Sequence, residues 1–310
     1  MMIIDGNTQA YLQNRVEEEY HSVFPKTILL DTVSHCNLKC SMCYRTATTL
    51  KSGIMSMDLY KKCIDEIAEK RPDSRVWLVA IGEPFLLKDM IERVRYAKDK
   101  GLKDVVLNSN GTLLTNKISK EVIQAGLDAL YVGIDAATQE SYEKIRYSSD
   151  TPTSLEKTIE NVLSYNRVLK DYGTEKQLLF VQFVVMDRNE HEKDAFIAFW
   201  KSKGIPVKIR PLSSWAGKMD IAGRKQQIDR LPCKWMMTDL TIIHNGEIAY
   251  CANVSEDDRC VATLSDNATI EQVWAELEKY RKVHREQKWD ELPSFCRDCL
   301  DWQVGYSQYI

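Results

Sequence analysis

Ser34-His35-Cys36-Asn37-Leu38-Lys39-Cys40-Ser41-Met42-Cys43-Tyr44-Arg45 decides how the rest of this chain is read. It follows directly on the apolar run Thr27-Ile28-Leu29-Leu30, so three cysteines spaced C-x3-C-x2-C fall on one tight loop at the carboxyl end of a strand, close enough to share a metal centre. Three is the informative number. An iron–sulfur cube has four irons and is normally held by four cysteines, so a loop supplying three leaves one iron open to something other than protein. The plainer readings are core cysteines or a zinc loop, but tetrahedral zinc usually takes its ligands in C-x2-C pairs, which this triplet matches poorly.

With that spacing, and Asn37-Leu38 between its first two cysteines, the segment resembles the signature of the radical S-adenosylmethionine (SAM) superfamily. The resemblance implies an open-iron [4Fe-4S] cluster on Cys36, Cys40 and Cys43. It also implies SAM chelated to the open iron through its amino and carboxylate groups, and cleavage of SAM to methionine and a 5′-deoxyadenosyl radical.

Composition bounds the rest. Apolar and charged fractions of 44% and 28% in 310 residues are those of a globular protein with a substantial core, and a net charge of -3 gives no general pull towards nucleic acid or an anionic membrane. There is no apolar span of 18 residues, and Met1-Met2-Ile3-Ile4-Asp5-Gly6 lacks the basic and apolar regions of an export signal. Nine cysteines then argue for a reducing, cytoplasmic setting in which thiolates serve metals.

From Lys26 the chain alternates strand-like and helix-like patterns. Strands are expected at 26–32, 75–80, 103–108, 128–134, 178–185 and 206–210, with helices at about 57–70, 86–100, 116–125, 153–170 and 190–203. Such alternation argues for a parallel sheet. The family resemblance implies a partial (β/α)6 TIM-like barrel over 25–212, after an extension at 1–24 with a short helix near Val16–Tyr20, and before a small C-terminal α+β iron–sulfur domain over 213–310. Chemistry is expected at the carboxyl ends of the strands.

Several residues at those ends draw attention. Ile81-Gly82-Glu83-Pro84 is similar to the family's Gly-Gly-Glu segment, with Ile81 in place of the first glycine, which implies that Gly82 and Glu83 meet the SAM amino group. Asn108-Ser109-Asn110-Gly111-Thr112 is a turn by composition, and it resembles the family's Ser-Asn-Gly segment with polar side chains towards the mouth. Asp135, at the end of strand four, is implied near the SAM ribose, while Arg146 braces a loop or reaches a carboxylate. Gln182 is an isolated polar residue in a strand buried on both faces and needs a partner, in SAM, substrate or backbone.

Beyond a charged stretch from Met219 to Arg230, two strand-like runs flank Asn245-Gly246, a hairpin signal that draws Cys233 and Cys251 together. A helix from Ile270 to about Val283 leads to Cys296-Arg297-Asp298-Cys299, which completes four thiolates. Chemically such a set can hold zinc or a cube. The order of its parts resembles the SPASM/twitch appendage of radical SAM enzymes, in a shortened form that implies one auxiliary [4Fe-4S] cluster on Cys233, Cys251, Cys296 and Cys299.

The resemblance implies hydrogen-atom abstraction from an unactivated carbon, with an external electron donor such as flavodoxin or ferredoxin, and with a small-molecule or peptide substrate. The favoured outcome is oxidation of an alcohol in a sugar or cyclitol. An epimerase with Cys260 as hydrogen donor and a maturase of a precursor peptide are the alternatives within the class, and a non-catalytic cluster scaffold is the alternative outside it. Cys260 discriminates. A thiol facing the mouth suits epimerisation, and a thiol packed inward leaves the electron to the auxiliary cluster.

Overall fold

The computed structural model describes residues 22–48, 51–149, 152–221, 230–253, 260–264, 267–306 and 308–309. The helix expected near Val16–Tyr20 and most of the charged stretch Met219–Arg230 lie outside them. Strands β1 (Thr27–Leu30), β2 (Arg75–Trp77), β3 (Asp104–Ser109), β4 (Ala129–Gly133), β5 (Leu178–Val185) and β6 (Val207–Pro211) pair in parallel in sequence order. Their crossovers carry α1 (Met57–Lys70), α2 (Met90–Asp99), α3 (Asn116–Gln124), α4 (Gln139–Ile145), α5 (Leu155–Tyr172) and α6 (Lys193–Ser202). Helix starts are fixed locally: Ser56, Thr115, Thr138 and Ser154 each accept the N–H three residues on, so a side chain satisfies a donor the helix cannot.

The two faces of the sheet differ. Ile28, Val76, Leu107, Leu130, Val181 and Val207 enter one large core beneath the helices, with Ile64, Val94, Val122, Val162 and Trp200. The opposite face is aromatic and polar, with the Tyr131 ring stacked on Phe180 at 4.8 Å and tilted against Trp77 at 4.9 Å. Lys208 of β6 lies 5.8 Å from the Trp77 ring centre and 5.1 Å from that of Tyr131. In a flat sheet, β2 and β6 would stand four strand spacings apart, about 19 Å. A lysine bridges them only because the sheet curls round its aromatic face, which is the hollow of a partial barrel.

The sheet does not stop at β6. β7 (Asp239–Ile242) pairs in parallel with β1, β8 (Glu247–Ala249) and β9 (Cys260–Thr263) follow antiparallel, and β10 (Gln308–Tyr309) lies antiparallel on β6, giving among the described residues an open sheet of ten strands. The boundary expected at 212 therefore falls in a connection that the sheet itself spans. The expected hairpin turn is present, with Gly246 at φ 89°, a left-handed value that glycine adopts at no steric cost.

Two details differ from the sequence reading. The expected helix at 86–100 begins at Met90, because Glu83 caps a one-turn 3-10 segment, Pro84–Leu86. The expected helix from Ile270 divides into α7 (Ile270–Glu276) and α8 (Glu278–Arg285), and Arg281 Nη2 takes the Trp274 carbonyl at 2.6 Å, a bond a continuous helix would have made from its backbone. Residues 213–216, where the second domain is expected to begin, form a strap in which Ser213 and Ala216 are buried.

Candidate metal centres at the barrel mouth

The three-cysteine loop follows β1 at the mouth of the hollow. Lys39 and Ser41 donate their N–H groups to the carbonyls of Tyr147 and Ile145 at 2.8 and 2.9 Å, and Trp215 Nε1 donates to the Met42 carbonyl at 2.8 Å. Gly82 is glycine for a steric reason: a Cβ there would collide with the Val33 carbonyl oxygen. That close approach lets Glu83 N–H donate to His35 O at 2.8 Å and locks the Gly82-Glu83 turn onto the cysteine loop.

The sulfurs are supplied with donors. Leu38 N–H lies 3.4 Å and Asn110 Nδ2 3.7 Å from Cys36 Sγ, and Arg146 Nη1 lies 3.8 Å from Cys40 Sγ. Burial, opposed by Arg146 and reinforced by Cys43 and Cys36, pushes the Cys40 thiol up to about 12. Cys36 and Cys40, both raised chiefly by burial and further by a neighbouring thiol, are nonetheless faced by N–H donors and a guanidinium, which fits a site whose charge is completed by a cationic metal centre.

Glu83 is buried, and its carboxylate accepts from Ser109 Oγ at 2.9 Å, Asn110 N–H at 2.8 Å and Phe85 N–H at 3.3 Å. Burial outweighs those donors and raises it to about 7. Asn108 and Gln182 meet each other, Gln182 Nε2 donating to Asn108 Oδ1 at 2.6 Å across β4. Asp135, implied near the SAM ribose, is held within the protein: Arg146 Nε donates to its Oδ2 at 2.8 Å and Val184 N–H to its Oδ1 at 2.7 Å, and its backbone is left-handed at φ 62°. The guanidinium passes over Gly133, where a Cβ would strike it. Asp135 thus acts on the mouth by aiming Arg146 at Cys40.

Cys233, Cys251, Cys296 and Cys299 line one cavity with Tyr250, Asp301 and Trp302. Burial raises all four thiols, and Cys251 feels Cys233, Cys296 and Cys299. His284 is held neutral, lowered to about 3 by burial and by Arg230. Its Nδ1 accepts the Cys233 N–H at 3.4 Å, so its proton sits on Nε2, which faces Cys296 Sγ at 3.6 Å. Arg230 Nη2 reaches the same sulfur at 3.7 Å, and Asp301 N–H reaches Cys299 Sγ at 3.3 Å. Among the described residues no three His, Cys, Asp or Glu side chains are gathered as for a metal ion. The shared cavity and the mutual effect of the thiols are what join these four.

Asn110, Trp215, Arg230, His284 and Asp301 were not singled out as site residues from the sequence. Only Asn110 carried a signal there, as part of a polar turn at a strand end. Cys260 begins β9 opposite Ala249, on the face away from Ile248 and Ala262, which pack towards the main core; it is half-buried and its thiol donates to Glu247 Oε2 at 3.7 Å. The apolar packing expected of a core cysteine is not what is found.

A curled parallel sheet with a three-thiol loop at its carboxyl end is the build of a cluster-binding α/β enzyme. The profile of the radical SAM superfamily matches residues 31–196. A tungsten-containing aldehyde ferredoxin oxidoreductase cofactor-modifying protein of Pyrococcus furiosus is 30% identical over 186 residues, 59% of this chain and 50% of that protein. An AdoMet-dependent heme synthase of Methanosarcina barkeri is 34% identical over 140 residues, 44% of this chain and 38% of that protein. These matches span half or less of the relatives' length. The fold is shared with BtrN in complex with AdoMet and 2-DOIA at a TM-score of 0.60 and 16% identity, over 89% of this chain and 92% of that one. It is shared with Streptococcus suis SuiB bound to precursor peptide SuiA at a TM-score of 0.64 and 11% identity, over 86% and 68%.

This chain belongs to the radical SAM superfamily. Membership implies a [4Fe-4S] cluster and SAM. Among the described residues no helix is long and apolar enough to cross a membrane.

Proposed function

We propose that Cys36, Cys40 and Cys43 hold the open-iron [4Fe-4S] cluster, that Cys233, Cys251, Cys296 and Cys299 hold one auxiliary [4Fe-4S] cluster, and that the enzyme oxidises an alcohol carbon of a sugar- or cyclitol-type molecule. When bound, the first cluster and SAM supply a 5′-deoxyadenosyl radical, which removes a hydrogen atom from an unactivated carbon. The chain's part is to hold and insulate. Gly82 and Glu83 would meet the SAM amino group, whose N–H bonds would donate to the carboxylate and favour its ionised form; Asn110, Leu38 and Arg146 fix the sulfurs; an external flavodoxin or ferredoxin provides the electron.

The observation that carries oxidation is the strap. Ser213, Ser214, Ala216 and Asn253 all donate to the buried Asp301, whose own N–H faces Cys299 Sγ, while Trp215 between them holds Met42. One short segment thus touches both thiol sites, which favours an auxiliary centre that accepts an electron from the substrate radical. A non-catalytic scaffold has no use for a three-thiol loop.

Epimerisation remains the second reading because Cys260 is half-buried beside Glu247 rather than packed in the core. A peptide substrate is the third, supported by the fold shared with SuiB. Anaerobic reconstitution and reduction, followed by assay of 5′-deoxyadenosine, tests the common step. Cleavage of SAM is expected, and a fully loaded, reduced protein that never cleaves it overturns the proposal.

A further inference from the structure

Each sulfur of the second thiol site has a donor, but the donors are of two kinds. The main-chain N–H groups of Trp235 and Met236 act on Cys233, that of Asn253 on Cys251 and that of Asp301 on Cys299. These groups lie two or three residues after each cysteine, so the turn that places the thiol also supplies its donor. Cys296 differs. Among the described residues, the donors that face its sulfur are side chains, His284 Nε2 at 3.6 Å and Arg230 Nη2 at 3.7 Å. The Tyr250 hydroxyl acts on the same thiol without a well-aligned bond.

Both donors are held in place. His284 is fully buried, and a polar ring costs burial where an aliphatic side chain does not. Its Nδ1 accepts the Cys233 N–H at 3.4 Å, so geometry alone leaves the proton on Nε2, which points at Cys296. One ring thus joins the main chain at Cys233 to the sulfur of Cys296. Arg230 grips the same turn, Nη2 donating to the Cys296 carbonyl at 2.9 Å and Nη1 to that of Arg297, while its guanidinium lies 4.8 Å from the centre of the Trp289 ring. Trp289 meets the His284 ring edge-on at 5.9 Å and so backs both donors. An amide could hold those carbonyls; a guanidinium also brings a fixed positive charge to the sulfur.

We infer that His284 and Arg230 are positioning residues for the auxiliary centre: acting through Cys296, they raise its reduction potential, so that it takes up an electron more readily than main-chain donors alone would allow. The inference rests on the reading of Cys233, Cys251, Cys296 and Cys299 as ligands of an iron–sulfur cube. Hydrogen bonds to cluster sulfurs and local charge are among the levers that set the potential of such a cube. Reduction adds negative charge, and an N–H donor and a guanidinium at a ligand sulfur both favour the more negative state. That direction suits a centre that receives an electron during oxidation. It would serve nothing at a zinc site, where the metal does not change its charge.

The test is potentiometric titration of the anaerobically reconstituted full chain, followed by electron paramagnetic resonance. SAM changes the signal of the first cluster at its open iron and leaves the auxiliary signal as it is, which separates the two. In His284→Leu and in Arg230→Met the auxiliary potential is expected to fall by about tenfold in the reduction equilibrium, ~59 mV for one electron. Iron content and the potential of the first cluster should not change. His284→Gln and Arg230→Lys, which keep an N–H donor, should recover most of the shift. A fully loaded auxiliary centre with the same potential in wild type, His284→Leu and Arg230→Met overturns the inference. Should His284→Leu fail to fold or load, Arg230→Met, at the half-buried rim, decides by the same shift. Zinc at the four thiols of the wild type overturns the reading on which the inference rests, and metal analysis shows it before any variant is made. The expected shifts in a protein that never cleaves SAM support the inference while overturning the reaction assigned to the mouth.

Discussion

Trp215, in the strap that leaves the barrel, donates its indole N–H to the carbonyl of Met42 between two cysteines of the first loop, 173 residues earlier in the chain. Its ring also meets Tyr44 edge-on at 5.6 Å. The outer side of the cysteine loop is therefore closed by a residue from the C-terminal part of the chain. Trp215→Ala removes a hydrogen bond of about 1 kcal/mol and a ring pair of similar size, so a loss of about 2 kcal/mol is expected. The first cluster should also be lost faster on exposure to air. Denaturant unfolding and the decay of the cluster's absorbance would check this, and decay at the wild-type rate would contradict the bracing role.

Cysteine replacements separate the two sites. Cys36→Ala, Cys40→Ala or Cys43→Ala is expected to abolish 5′-deoxyadenosine formation, since no fourth protein ligand stands by. Cys233→Ala or Cys299→Ala should instead lower bound iron by about one cube while some unproductive SAM cleavage persists. Zinc in the wild-type protein, with iron unchanged in the second group of variants, would show that the four thiols hold a different metal.

Arg146→Met leaves Asp135 buried and unpaired and should cost about 3–5 kcal/mol in denaturant unfolding. It also removes the guanidinium facing Cys40, so the reduction potential of the first cluster should shift negative, a change that a merely structural role would not produce. A stability loss below about 1 kcal/mol would mean that the pair is not the clamp described.

Lys208 makes stability depend on pH in a defined direction. Its folded-state value near 7 lies below the ordinary 10.5, so between those limits the unfolded chain binds a proton that the native chain has released. Its contribution to stability is most unfavourable below pH 7 and recovers as pH rises towards 10.5. Lys208→Met should therefore be stabilised relative to wild type at pH 7, with the difference shrinking by pH 9.5. A difference that does not change between the two pH values would place the lysine in solvent.

Cys260→Ala decides between the two fates of the substrate radical. A wild-type product two electrons more oxidised, formed equally well by the variant, is expected from oxidation. Solvent deuterium on an inverted carbon, with turnover lost in the variant, would instead make Cys260 the hydrogen donor.

Much of the sheet was legible because β1 to β6 are apolar runs separated by capped helices, and those signals are local. The cysteine loop was legible for the same reason: its spacing is a property of eight consecutive residues. Partners made across long separations were not. Nothing near Asp135 announces that Arg146 and Val184 N–H will take up its carboxylate, and nothing near Cys296 announces His284 or Arg230. Likewise Lys208 reads as an ordinary strand lysine until the sheet curls and sets it over Trp77. The addition of β7 to β1 was equally hidden, since hairpin signals say which strands are adjacent in sequence and not which outside edge they join.

That last pairing has a consequence for how the chain is made. β1 ends at Leu30, and the strand that covers its outer edge ends at Ile242. On a ribosome adding about 5–20 residues per second, β1 spends ten seconds or more with unsatisfied backbone groups along that edge before β7 emerges. Assembly of the full sheet is therefore a late and slow event, ruled by a contact of very high sequence separation. Expression at lower temperature, or with chaperones that shield an open strand, should raise the yield of this protein more than added iron alone.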